Sequence, residues 1–137
     1  MDYLLDTNAC IAIINGNPLQ VRTRLEQVLA ASASIFVSSI TGFELWYGVF
    51  KSARKDFNQR RVELFFAGPV TTLPFEERDA EASGRIRAML ESSGKPIGAY
   101  DLLLAGQAME RNLTLVTANI SEFSRIKGLH WQNWARS

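Results

Sequence analysis

Hydrophobic positions along the chain fall into short unbroken runs separated by longer stretches with helical spacing. Asp2-Tyr3-Leu4-Leu5, Ser34-Ile35-Phe36-Val37-Ser38, Val70-Thr71-Thr72-Leu73 and Leu113-Thr114-Leu115-Val116-Thr117 are the short runs, and they predict four strands. Leu129-His130-Trp131 is a candidate fifth, at an edge, with Trp134 packing the tail down. Between them the spacing predicts helices over about 9–14, 18–31 (Val21, Leu25, Val28 and Leu29 on one face), 39–50 and 54–67 (Phe57, Leu64, Phe65 and Phe66 inward). A long helix is expected from Phe75 to Ser93, with Ala80, Ala82, Ile86, Met89 and Leu90 as core positions. Another is expected from about Tyr100 to Arg111, and a short helix or turn from Asn119 to Ser124. Asn15-Gly16-Asn17-Pro18, Gly68-Pro69 and Gly94-Lys95-Pro96 punctuate the pattern. Strands alternate with helices, and the strand connections are too long for hairpins. The expectation is an α/β fold with a mainly parallel sheet of four or five strands flanked by helices.

Composition adds bounds to this picture. At 137 residues, 47% hydrophobic and 21% charged, the chain suits one domain, residues 1–137, with a real core. No run is long enough to span a bilayer, and the first residues do not read as a signal peptide, so a cytoplasmic protein is the simplest expectation. Cys10 is the one cysteine, which excludes an internal disulfide. Net charge is +1, without a strongly basic footprint. Lys51, Arg54, Lys55, Arg60 and Arg61, and later Arg85, Arg87 and Lys95, form local clusters that read either as solvated helix faces or as phosphate contacts.

Three acids interrupt the apolar pattern. Asp6 ends the first strand, Glu44 lies inside an apolar helix, and Asp101 heads the helix carrying Leu102, Leu103 and Leu104. Each has a plain reading: Asp6 as a helix cap, Asp101 as an anion in a first helical turn, Glu44 on an exposed face or beside a distant arginine. As a set they say more. Asp6 and Asn119 both follow strands, so a parallel sheet places them at one edge, and Glu44 and Asp101 lie early in helices that begin near that edge. Carboxylates that converge without cations repel one another, and a hard divalent ion such as Mg²⁺ or Mn²⁺ removes the conflict. Such an ion would acidify water and stabilise charge on a phosphate during in-line attack. Other chemistries lack parts: nothing local ties Cys10 to His130, and no phosphate-binding glycine loop is present.

The residues also carry a family resemblance. Leu5-Asp6-Thr7-Asn8, the segment Ser38–Gly48, Gly84-Arg85-Ile86-Arg87-Ala88, the segment Gly94–Ala105, Leu115–Phe123 and Trp134 occur in an order that resembles PIN-domain ribonucleases, specifically the toxin subunits of VapBC toxin–antitoxin pairs. The resemblance implies a Mg²⁺- or Mn²⁺-dependent endoribonuclease that cuts RNA to leave a 5′-phosphate and is neutralised by a cognate antitoxin. Asp6, Glu44 and Asp101 match the family's acidic metal-binding positions, and Asn119 falls where many relatives have a fourth acid. Thr7, Asn8, Ser39 and Thr117 match groups that would fix the carboxylates. Gln107 stands where a histidine is common. Ile11, Ile14, Phe43, Trp46, Tyr47 and Phe50 are large apolar groups that would form a groove for an amphipathic antitoxin segment, with ordinary core or a homodimer face as the plain reading. A homodimer, alone or within a larger toxin–antitoxin assembly, is expected, with RNA as substrate. The alternatives are a PIN-fold nuclease acting in RNA processing or on DNA outside antitoxin control, a non-catalytic module of the same fold, and a phosphatase-like hydrolase using Asp6. The last would want a second acid at position 8, where the residue is Asn.

Overall fold

In the computed structural model, which describes residues 1–136, five strands form one parallel sheet in the order β3-β2-β1-β4-β5. They are β1 (Tyr3–Leu5), β2 (Ile35–Ser38), β3 (Thr71–Leu73), β4 (Thr114–Val116) and β5 (Trp131–Gln132). The helices are α1 (Thr7–Asn15), α2 (Leu19–Ala30), α3 (Ser39–Lys51), α4 (Lys55–Ala67), α5 (Glu77–Ser92), α6 (Ala99–Glu110) and the single turn α7 (Ile120–Phe123). The expected parallel α/β architecture is present, and the candidate edge strand is β5, displaced toward Gln132.

Tyr3, Leu4 and Leu5 are all buried, because β1 lies at the centre of the sheet with helices on both faces. Its odd and even side chains therefore enter two cores. Tyr3 and Leu5 join α1, α2, α3 and Trp134 on one face, while Leu4 joins Ile86, Leu90, Leu104 and Phe123 on the other. Trp134 closes the first core, its ring meeting Tyr3 edge-on at 5.2 Å. On the second face α5 and α6 pack with their backbones close together. A Cβ on Gly106 would lie 2.7 Å from Ser83 N and 2.8 Å from Ser83 Cα, so no larger residue fits without shifting a helix.

Several expected core positions are at the surface. Phe57 and Leu64 are exposed rather than inward, and Val62 is the buried residue of α4. The guanidinium groups of Arg54 and Arg61 cover Phe57, at 4.1 and 5.3 Å from its ring centre. On α5, Ala82, Ile86 and Leu90 are buried as expected, whereas Ala80 and Met89 are exposed. The buried acid there is Asp79, fully enclosed and held by Arg111 through Nε–Oδ1 at 3.0 Å and Nη2–Oδ2 at 2.9 Å. Burial alone would raise the Asp79 pKa, but hydrogen bonds from Arg111 and the Glu76 N–H outweigh it and hold the carboxyl below its usual value. This pair ties the start of α5 to the end of α6.

Candidate active site

A parallel sheet collects the C-terminal ends of its strands at one edge, and there the candidate acids meet. Asp6 follows β1 directly and caps α1, its Oδ1 accepting the Ala9 N–H at 2.8 Å. The capping reading and the functional one are compatible, since the cap leaves the carboxylate with spare acceptor capacity. Asp6 is 5% exposed, and burial pushes its pKa up against the Ala9 and Thr117 hydrogen bonds, with the charge of Glu44 raising it further. The Thr117 hydroxyl, past the end of β4, also accepts the Asn119 N–H at 2.9 Å and so ties the two strand ends together.

Glu44 is half-buried on α3, facing the start of α1, where the Thr7 hydroxyl donates to its Oε1 at 2.6 Å. Its partner is therefore a hydroxyl and not a cation. Asp101 lies in the first turn of α6, as the spacing predicted, where the helix dipole favours an anion. Its pKa is nevertheless raised to about 6, by burial first and then by the hydrogen bond and charge of Glu122, against the favourable Asn119 bond. The Asn119 amide donates to Asp101 Oδ2 at 3.1 Å and to Glu122 Oε2 at 2.8 Å, a neutral bridge between two acids.

Glu122 is the member that sequence reasoning missed. It sits in a single helical turn with no periodicity to mark its face. The available signal was its spacing three residues after Asn119, which puts both on one side of that turn. Of the groups expected to fix the carboxylates, Thr7 and Thr117 do so. Ser39 instead accepts the Phe75 N–H at 3.0 Å and anchors the loop before α5, and Asn8 is exposed at the head of α1. Gln107 is fully buried and donates to the Pro74 carbonyl at 3.2 Å, which makes it a packing residue between α6 and the end of β3.

The basic clusters are mostly occupied. Arg85 pairs with Glu81 and Arg87 with Glu91 along the exposed face of α5. Lys51 lies over the Tyr47 ring, and Arg61 donates to the Ile14 carbonyl at 3.1 Å. Every ion pair among the described residues involves Glu76, Asp79, Glu81 or Glu91, so Asp6, Glu44, Asp101 and Glu122 have no paired cation there. The donor set is oxygen throughout, negatively charged and uncompensated, and it fits a hard divalent ion. Among the described residues no three acids already stand at mutual ligand spacing.

The six apolar groups suggested for a partner groove divide. Ile11 and Ile14 line a shallow cleft with Glu44, Gly48, Asn58 and Arg61, which runs up to the acidic edge. Phe43 leans on Tyr100 at 5.9 Å, and Trp46 stacks on Phe50 at 6.1 Å while it packs against the core. Phe43, Tyr47 and Phe50 are each more than half exposed, so α3 presents one apolar face that the described residues do not cover.

Comparison with known proteins places this geometry. The family model for the PIN domain matches residues 3–129. Ribonuclease VapC2 of Rickettsia felis is 42% identical over 134 residues, 98% of each chain. The tRNA(fMet)-specific endonuclease VapC of Shigella flexneri is 36% identical over 135 residues, 98% of this chain and 99% of its own. A chain in the crystal structure of VapBC2 from Rickettsia felis, bound to a DNA fragment from their promoter, superposes with a TM-score of 0.90 at 41% identity, covering 98% of this chain and 99% of that one. A chain of DNA-bound VapBC from Salmonella typhimurium superposes with a TM-score of 0.88 at 39% identity, covering 98% of both. With the strand-edge acids, the parallel sheet and near end-to-end matches in agreement, the chain belongs to the PIN domain family.

Proposed function

We propose that this chain is a divalent-metal-dependent endoribonuclease, the toxin of a VapBC-type pair, restrained by a cognate antitoxin. The observation that carries the reading is the gathering of Asp6, Glu44, Asp101 and Glu122 at one strand edge with no paired cation among the described residues. Similarity to ribonucleases named VapC and to chains of VapBC complexes supports the substrate class and the partner. Because the Shigella flexneri relative is named for tRNA(fMet), tRNA is the first substrate to test.

Asp6, Glu44 and Asp101 would hold the Mg²⁺ or Mn²⁺ ion, which when bound supplies an acidified water and neutralises charge on the phosphate. The rest is work for this chain. Asp6 is kept in place by the Ala9 N–H and Thr117, and Glu44 by the Thr7 hydroxyl. Asn119 keeps Asp101 and Glu122 side by side without adding charge. Glu122, held beside Asp101 by the same amide, adds a further carboxylate at the edge where the phosphate arrives.

The test is cleavage by the purified chain, free of antitoxin, of tRNA, unstructured RNA and DNA with Mg²⁺ or Mn²⁺. RNA should be cut and DNA spared. Asp6→Asn and Asp101→Asn should each lose more than about a hundredfold, since loss of a mere supporting partner already costs a metal site about 10–100-fold. Undiminished cleavage by both variants would place the chemistry elsewhere.

A further inference from the structure

Beside the carboxylate edge lies a two-part cleft that the proposed chemistry does not use. Its first part, about 200 Å³, lies between α1 and the residues after β4, and Asn8 and Thr117 are in its wall. Its second part, about 790 Å³, lies between α2 and the end of β5, where Arg24 and Arg136 face it. Asn133 and Trp134 line both parts, so the two are neighbours. The first part lies beside Thr117, which hydrogen-bonds Asp6, and the second lies on the far side of Asn133 and Trp134.

Its lining is chemically one-sided. The chain has 14 acidic residues, and no Asp or Glu lines either part. Arg24 and Arg136 are exposed and make no ion pair among the described residues, unlike Arg85, Arg87 and Arg111. Amides and hydroxyls make up most of the remaining polar wall. The wall is also held in shape: Trp134 is buried and donates to Gln132 Oε1 at 3.0 Å, and Asn133 Oδ1 accepts the Ala135 N–H at 2.9 Å. That leaves the Asn133 NH₂ group without an intramolecular acceptor among the described residues.

We propose that this cleft between α2 and the end of β5 is the track for the RNA strand on one side of the scissile phosphate, with Arg24 and Arg136 holding its phosphates. The inference rests on the ribonuclease reading and deepens it. A strand whose scissile phosphate lies at acids is repelled by further carboxylates, and the two parts, the first of them beside Thr117, present none. Backbone contacts of this kind add affinity without reading sequence.

The experiment measures binding of a single-stranded oligoribonucleotide by fluorescence anisotropy over a range of salt, in an Asp101→Asn background to prevent cleavage. Arg24→Gln with Arg136→Gln should weaken binding about tenfold at physiological salt and reduce the slope of log K against log salt by about 1.4, two contacts' worth for a single strand. Gln27→Lys, which adds a cation to the same wall, should steepen that slope by about 0.7 and serves if the double variant folds poorly. Arg78→Gln, an exposed arginine on α5 paired with Glu76, is the control for general loss of charge. Slopes for the cleft variants equal to that of the control would overturn the track while leaving the ribonuclease reading intact. Loss of antitoxin binding with unchanged RNA binding would also overturn it, making the cleft a protein interface. Absence of any RNA cleavage by the unmutated chain would remove the ribonuclease reading, and the track with it.

Discussion

At the scale of single residues, the site is an electrostatic conflict held in place by hydrogen bonds. Asp101 shows it most directly. Its folded pKa of about 6 lies above the ordinary aspartate value, so between about pH 4 and 6 the folded state holds a proton that the unfolded chain releases. The stabilisation from this group is complete below about pH 4 and disappears as pH rises through 6. In metal-free protein, Asp101→Asn should therefore raise the thermal midpoint at pH 7, and the gain should shrink to nothing near pH 4. An advantage that persists unchanged to acid pH would mean that the Asp101 charge is not the cause. Asn119 extends the same logic. Its amide donates to both Asp101 and Glu122, and Asn119→Asp would replace two favourable bonds with repulsion. That variant should melt lower than the parent without metal at pH 7, and gain more from added Mn²⁺ because a further carboxylate is available to a cation. Differential scanning calorimetry with and without the ion reads both effects.

At the scale of elements, the acids are only as well placed as the helices that carry them. α6 brings Asp101 to the strand edge, and α6 is positioned by α5 through the Gly106–Ser83 contact and the Asp79–Arg111 pair. Removal of one partner of an enclosed ion pair leaves a charge with nowhere to go. Arg111→Met should cost about 3–5 kcal/mol in denaturant unfolding, and Asp79→Leu combined with Arg111→Met should recover part of that loss. A double variant as unstable as the single one would show that the pair is not what joins the helices. Little of this junction was legible along the chain. Asp79 sits where helical spacing suggests a solvated acid, and its partner is 32 positions away. In α4 the error ran the other way: Phe57 and Leu64 read as core, yet the helix packs on α1 and α3 through Val62, Phe65 and Phe66 and leaves those two outside.

At the scale of the whole molecule, one apolar surface still lacks a cover. Ile11 is 40% exposed and Tyr47 58%, on the two helices that carry Thr7 and Glu44 at the acidic edge. An antitoxin segment seated there would shield the acids as well as the apolar groups. Ile11→Asp with Tyr47→Asp should abolish co-purification with the cognate antitoxin, each hot-spot group being worth about 2 kcal/mol or more. Both side chains are at the surface, so the thermal midpoint should change little. Retained co-purification would place the partner on another face. No helix among the described residues is long and apolar enough to cross a membrane.

The chain order alone determined the strand–helix alternation, hence the parallel sheet, and it located Asp6, Glu44 and Asp101, because each breaks a local apolar pattern at an element's end or face. The strand order was not legible, because Tyr3–Leu5 and Thr114–Val116 are both buried throughout and only the fold puts β1 at the centre. Tertiary structure decided what depends on pairs distant in sequence. It matched Thr7 with Glu44, placed Asn119 between Asp101 and Glu122, enclosed Asp79 with Arg111, and set Asn133 between a cavity lined by Asn8 and Thr117 and another lined by Arg24. Local propensity constrains a residue's own turn or strand. The free energy of a buried charge depends on which group the fold brings within hydrogen-bonding distance, and that is a property of the assembled sheet and helices.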